Sequence, residues 1–168
     1  MSNVISFRPS PLSPFLGKWV LDPLSVSRDK VVKRALGDEG LKKLWACASI
    51  EERTQCLASD PELANRYQSV LQLGRRKSLV VTIETLAWSY EQQGSLAAQQ
   101  ATLPVLKVAV EGTKVIVHSI DTRPQRSGQA LAYVFRLNKQ WLLISERYSG
   151  RHAQYFPRSP VHRFYRSI

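Results

Sequence analysis

The spacing of the apolar residues changes once along this chain, and that change limits the folds it can adopt. Between residues 23 and 74 apolar side chains recur every three or four positions, which is typical of helices with one buried face. From residue 78 to residue 147 they alternate with polar side chains, which is typical of strands. Helices followed by a run of strands predict an α+β fold with an antiparallel meander or a partly closed β-barrel, rather than a parallel sheet of βαβ units.

Capping residues indicate where the helices of residues 23–74 begin. Glu52 follows Ser49 by three positions, which is the spacing of a capping box. Asp60 stands before Pro61, so a capping carboxylate precedes a proline at the first helical position. The last helix therefore has a well-marked start. Its predicted apolar face comprises Leu63, Tyr67, Val70 and Leu71. Further candidate boundaries are the caps Ser27 and Asp38 and the ends Gly37 and Gly74.

The second half of the chain predicts strands that run up and down. The alternating segments 79–83 and 86–90 are out of phase, so they form either one long strand with a bulge or two short strands. A turn at 111–113 predicts one hairpin, and Asn138 with Lys139 predicts the turn of a second. Residues 96–102 have no clear pattern, and both a loop and a short helix stay open for them.

A first strand, residues 15–21, precedes the helical segment. Within it, Gly17, Lys18 and Trp19 match the G-x-W motif that opens the first strand of lipocalin-like barrels. The chain resembles small bacterial lipocalin-like domains in which helices come before the sheet resumes. The resemblance implies an antiparallel barrel with space inside for a small apolar ligand. It also implies an arginine packed on that tryptophan, for which Arg136 and Arg147 are the candidates. NTF2-like folds, with helices in front of a curved sheet, are similar in element order.

Length and composition indicate one soluble domain, residues 1–168. A chain of this length can bury a sizeable core without disulfides or metals. No apolar run approaches the length of a membrane span, and the N-terminus lacks the apolar stretch of a signal peptide. Cys47 and Cys56 have no Cys or His partner at metal-ligand spacing. We therefore expect a cytoplasmic protein with reduced thiols and with neither a metal nor another cofactor.

No motif for catalysis stands out. The three histidines, at positions 118, 152 and 162, have no second ligand at metal-binding spacing. Ser27 and Lys30 fit S-x-x-K, but the companion motifs of that site are missing. The acidic pairs at positions 38–39 and 51–52 lie at predicted helix starts, where they complement the helix dipole. A site assembled from distant residues leaves no local motif, so an enzyme stays an open alternative to a binding protein.

Large aromatic residues on the predicted strands form the candidate ligand-binding site. They are Trp19, Trp88, Tyr90, Tyr133 and Trp141. If these rings share one face of the sheet, they line a concave surface or a barrel interior that suits a small ligand. Packing in the core is the alternative interpretation. The sequence predicts a non-enzymatic binding module for a small ligand or a protein partner.

The positive charge is concentrated towards the C-terminus. The chain has a net charge of +11, and residues 121–168 contain nine Lys and Arg against two acidic residues. Five arginines form the candidate anion-binding or nucleic-acid-binding set: Arg147, Arg151, Arg158, Arg163 and Arg166. Interleaved arginine and aromatic residues suit single-stranded nucleic acid, which is the alternative function, and an acidic protein is another anionic partner. In the other interpretation, the C-terminal arm of residues 148–168 packs across its own sheet.

Overall fold

The computed structural model describes residues 10–25, 30–73, 75–92, 99–125, 127–147 and 160–167. Within these ranges the chain forms three helices and nine strands, so the α+β prediction is confirmed. The helices are α1 (Lys30–Trp45), α2 (Ile50–Ala58) and α3 (Pro61–Leu71). The strands are β1 (Gly17–Leu21), β2 (Arg75–Val81), β3 (Thr85–Gln92), β4 (Gln99–Pro104), β5 (Lys107–Glu111), β6 (Lys114–Ile120), β7 (Ala130–Asn138), β8 (Trp141–Glu146) and β9 (His162–Arg166).

All nine strands belong to one antiparallel sheet with the order β4-β3-β2-β1-β9-β8-β7-β6-β5. The sheet curls into an open half-barrel, and the helical segment follows β1 as predicted. Side chains of β3 and β7 meet across the concave side, where the ring centroids of Trp88 and Tyr133 lie 5.5 Å apart. The last described strand, β9, lies between β1 and β8. Both ends of the described chain therefore come together in the middle of the sheet.

The main hydrophobic core fills the concave side of the half-barrel. The strand registers place Trp19, Leu79 and Trp88 side by side on β1, β2 and β3, and their alternate neighbours point away. A short 3-10 turn, Ser13–Phe15, contributes to this core, with the rings of Phe15 and Phe135 5.6 Å apart. Period-two alternation thus produces the apolar face that the sequence predicts.

The helices have a smaller core of their own and pack on the convex side of the sheet. The indole N–H of Trp141 on β8 donates to the carbonyl of Cys47, which follows α1, over 2.8 Å. Asp22, Arg53 and Arg163 form a buried charge cluster that joins β1, α2 and β9. Both guanidinium groups bind the Asp22 carboxylate, with Nη2 of each arginine 2.8–2.9 Å from Oδ2. The cluster attaches the helices to the sheet.

The local start signals predict the helix boundaries well. Ser49 Oγ and Asp60 Oδ1 each accept a hydrogen bond from the backbone N–H three residues later, as predicted for helix caps. The carboxylate of Glu52 reaches back to the N–H of Ala48. Gly37 has a φ of +70° and interrupts α1. The predicted cap Ser27 and the predicted helix end Gly74 lie outside the described residues.

No described helix is long and apolar enough to cross a membrane.

Two open points in the strand pattern are resolved. Residues 82–84 separate β2 from β3, so the out-of-phase segments are two strands rather than one strand with a bulge. Residues 99–104 form β4, so neither a loop nor a helix is correct for residues 99–102, while residues 96–98 lie outside the described residues. This strand is polar on its exposed positions and buries Leu103, which leaves little alternation to detect. The turns at residues 112–113 and 139–140 confirm the two predicted hairpins.

Candidate functional site

A pocket opens on the concave face between β2–β4 on one side and β7–β9 on the other. It has two adjoining lobes of about 140 Å³ and about 270 Å³, which share four lining residues. These shared residues are Lys77, Trp88, Tyr133 and Glu146. Ile144, His162 and Phe164 complete the smaller lobe, while Tyr90, Ala101 and Leu103 help to line the larger one. We call this space the concave pocket.

Aromatic rings from three strands form the walls of the concave pocket. Trp88 on β3 packs against Tyr133 on β7, and its ring centroid lies 6.0 Å from that of Phe164 on β9. Residues 86, 88 and 90 alternate with 87 and 89 along β3, so one face of that strand carries the rings. The curl of the sheet then brings this face opposite β7 and β9. The result is an apolar surface interrupted by a few polar groups.

Lys77 introduces a positive charge into the concave pocket. Its Nζ lies 4.8 Å from the centroid of the Trp88 ring, which is cation–π distance. Burial lowers the pKa of Lys77, and the negative charge of Glu146 opposes that shift. The ammonium group makes no hydrogen bond or ion pair with the described part of the chain. Its three N–H donors are therefore available to a ligand.

Tyr133 and Glu146 are cross-strand partners on β7 and β8, and their side chains interact. The Glu146 carboxylate lies close enough to the Tyr133 hydroxyl to affect its pKa. Burial is the main reason that the pKa of Tyr133 rises well above its usual range, and the charge of Glu146 adds to the shift. Tyr133 therefore stays protonated at neutral pH and presents its hydroxyl beside the Glu146 carboxylate at the pocket wall.

Two ring nitrogens at the concave pocket are buried without a hydrogen-bond partner. Across the described ranges, only Trp88 Nε1 and His162 Nδ1 are in this state. Burial lowers the pKa of His162, and the charge of Lys77 lowers it further, so the neutral imidazole is favoured. A buried polar atom without a partner costs free energy that a bound polar group can recover. Unpartnered ring nitrogens and a half-buried cation thus converge on one pocket.

The five aromatic residues predicted to bind a ligand do not share one surface. Trp88 and Tyr133 line both lobes of the concave pocket, and Tyr90, 37% exposed, lies at the edge of the larger lobe. Trp19 is packed in the concave core, where its indole N–H donates to the Phe15 carbonyl over 2.8 Å. Trp141 is buried on the opposite face, against the helices. The structure therefore brings three of the five together.

The G-x-W motif lies beside the last strand. The guanidinium carbon of Arg166 is 4.2 Å from the centroid of the Trp19 ring, and its nitrogens donate to the carbonyls of Pro14 and Leu16. A Cβ at Gly17, which has a φ of +116°, would lie 3.0 Å from Arg166 Nη1. The arginine on the tryptophan is therefore Arg166, and neither candidate from the sequence is correct.

The curled antiparallel half-barrel that the nine strands form is compatible with a calycin-like fold.

The described arginines of the predicted anion-binding set contact the protein itself. Arg147 pairs with Glu111, with 3.1 Å between Nη2 and Oε2. Arg163 is 6% exposed and belongs to the buried charge cluster, and Arg166 binds backbone carbonyls. Arg151 and Arg158 lie outside the described residues.

No family model, curated protein or solved structure matches this chain. The concave pocket must therefore be interpreted from its own chemistry. Among the residues that the structure describes, no group of three or more His, Cys, Asp or Glu side chains is arranged to hold a metal ion.

Sequence reasoning missed three polar residues of the concave pocket, although each had a detectable signal. Lys77 is in phase with Leu79 and Val81, which are buried on the concave face. Glu146 is in phase with Ile144, and His162 is in phase with Phe164. A charged or polar residue at a position whose strand neighbours are buried is an exception to the alternation, and such exceptions occur at binding sites.

Proposed function

We propose that this protein is a binding module that holds a small molecule in the concave pocket. The observation that carries the proposal is the convergence of Trp88, Tyr133 and Phe164 with polar groups that have no hydrogen-bond partner in the described part of the chain. Small-molecule sites combine apolar and aromatic walls with a few polar groups that orient the ligand. The concave pocket has this composition, and its volume suits a ligand of one or two rings.

The likeness to lipocalin-like domains supports the same proposal. Gly17, Trp19 and Arg166 form a packed unit at the start of the first strand, as the resemblance implies for that family. Barrels of this kind hold ligands on the inner face of the sheet. The inner face is also where the concave pocket lies.

Nucleic-acid binding by the arginine set has less support. Three of its members already bind Glu111, Asp22 or backbone carbonyls, so their donors are partly used. If single-stranded nucleic acid were the partner, its affinity would fall steeply between about 50 and 200 mM salt. Binding with that salt dependence, together with an empty concave pocket, would overturn the proposal of a small-molecule module.

The test uses two aromatic probes of matched shape, 1-naphthoate and 1-naphthamide. We expect at least one to shift the NMR signal of the Trp88 indole N–H, which the Trp88→Phe variant assigns. The indole signals of Trp19, Trp45 and Trp141 should move little because those rings lie outside the concave pocket. Trp88→Ala should weaken the binding by about 10-fold or more, because it removes a large stacking surface.

Trp45→Ala is the matched control, because Trp45 is 39% exposed on the helical side of the sheet. It should leave binding unchanged. The proposal would be contradicted if neither probe shifted the Trp88 signal, or if the two alanine variants weakened binding equally.

A further inference from the structure

We propose that the ligand of the concave pocket is an organic carboxylate whose anionic group contacts Lys77 and the Trp88 indole N–H. The inference rests on the proposed function, because it names the chemical class that the same pocket would accept. Its basis is an excess of hydrogen-bond donors over acceptors among the polar groups that line the pocket.

The Lys77 ammonium is the strongest of these donors. It lies on the inner face of β2, beside the Trp88 ring, and has neither a hydrogen-bond acceptor nor an ion-pair partner in the described chain. A half-buried ammonium without an acceptor is costly, and a bound anion would reduce that cost. An uncharged ligand would satisfy it less well, because hydrogen bonds between charged groups are the stronger ones.

A second donor lies in the same place. Trp88 Nε1 has a single N–H that can only donate, and it has no acceptor among the described residues. Lys77 and Trp88 both line the two lobes of the concave pocket, with Lys77 Nζ 4.8 Å from the centroid of the indole ring, so we expect one ligand group with two oxygens to reach both donors. A carboxylate has this form, with two oxygens that each accept more than one hydrogen bond.

The charges that face Lys77 favour a single negative charge over a dianion. Glu146 on β8 already contributes one carboxylate to the pocket wall, next to Tyr133. Arg123 adds a positive charge at the edge, but both oxygens of Asp121 bind it. His162 on β9 favours its neutral form. Among the described residues of the pocket, a phosphate dianion would therefore meet one unpaired cation, Lys77, next to the Glu146 carboxylate. The single negative charge of an organic carboxylate matches the single positive charge of Lys77.

The apolar residues of the pocket indicate the chemistry of the rest of the ligand, apart from its anionic group. Behind the polar groups lie Ile144, Phe164, Ala101 and Leu103, which have no hydrogen-bonding side chains. An aromatic or branched apolar body would pack on these residues and on the faces of Trp88 and Tyr133. The pocket thus fits a small aromatic or apolar acid.

Calorimetric titration of the whole chain with 1-naphthoate and 1-naphthamide tests the inference. The two probes have the same ring system and differ in charge. We expect naphthoate to bind at least about 10-fold more tightly than naphthamide at pH 7, the range expected for a charged hydrogen bond. Lys77→Met should lower the affinity for naphthoate by about 10-fold or more and change that for naphthamide by less than about 3-fold.

Two further variants separate charge from shape. Lys77→Arg keeps the positive charge and should keep the preference for naphthoate. Trp88→Phe keeps an aromatic ring but removes the N–H, and should weaken naphthoate binding by about 5-fold. Lys107→Met is the matched control, since Lys107 is exposed on β5 and lines neither lobe. It should leave both affinities unchanged.

The results distinguish a failure of the carboxylate inference from a failure of the small-molecule proposal. Equal binding of the two probes, or unchanged naphthoate binding in Lys77→Met, would overturn the carboxylate inference and leave the small-molecule module standing. If neither probe bound, both the carboxylate inference and the small-molecule proposal would be overturned. Circular dichroism of each variant confirms that a loss of affinity does not reflect a loss of fold.

Discussion

Replacing Asp22 by Asn should destabilise this protein more than any other single isosteric change described here. Asp22 is fully buried, and its two oxygens accept hydrogen bonds from Arg53, Arg163 and the backbone N–H of Leu24. An asparagine keeps the size of the side chain but removes its charge and one acceptor oxygen. Two buried guanidinium groups would then face each other without an anion.

The size of the effect follows from the burial of both arginines. Arg53 is 0% exposed and Arg163 is 6% exposed, so solvent cannot replace the lost partner. Breaking a buried ion pair by removing one member costs about 3–5 kcal/mol. For a chain of this size, a loss of 1 kcal/mol lowers Tm by about 2–4 °C, so Tm should fall by about 6–20 °C.

Urea unfolding and calorimetry would measure this change against Glu62→Gln. Glu62 pairs with Arg66 over 2.7 Å, but both side chains are more than half exposed. Exposed helix pairs of this kind contribute about 0.3–0.5 kcal/mol, so the control should lose little stability. If Asp22→Asn destabilised the protein no more than Glu62→Gln does, the charge cluster would not be what attaches the helices to the sheet.

Three other changes have expected outcomes. Lys77→Met should raise the free energy of unfolding by about 1 kcal/mol in denaturant titration, because it removes a half-buried ammonium that has no acceptor among the described residues; a decrease would contradict this. Because burial lowers the pKa of His162, the unfolded state binds a proton at higher pH than the folded state, so stability should fall as pH decreases below about 6.5. His162→Gln should make that fall shallower. Burial and the nearby Cys56 raise the pKa of Cys47, so mass spectrometry should show that iodoacetamide modifies Cys56 first.

Local signals explain why the helices and hairpins could be predicted from the sequence. The caps Ser49 and Asp60 bond to atoms only three residues away, so the sequence neighbourhood contains the whole interaction. The alternation of β2 and β3 is equally local, because one face of each strand is buried. Neither feature depends on where a distant part of the chain lies.

The unpredicted features depend on contacts between distant residues. In β9, Phe164 is buried on the concave side and Arg163 on the convex side, because the helices cover the sheet there. The strand therefore lacks the alternation of a half-buried strand. Arg163 can be buried because the carboxylate of Asp22, 141 positions away in the chain, balances its charge. The concave pocket has the same origin, since Lys77 meets Glu146 and His162 only after the sheet has curled.

The position of β9 between β1 and β8 has a consequence for biosynthesis. Until residues 162–166 have left the ribosome, β1 and β8 each present an unpaired edge, and Asp22 lacks one of its two cations. The nascent polypeptide can form the ribbons β1–β4 and β5–β8 but cannot join them. We therefore expect the two ribbons to associate late and cooperatively, with exposed edges that attract chaperones in the interval.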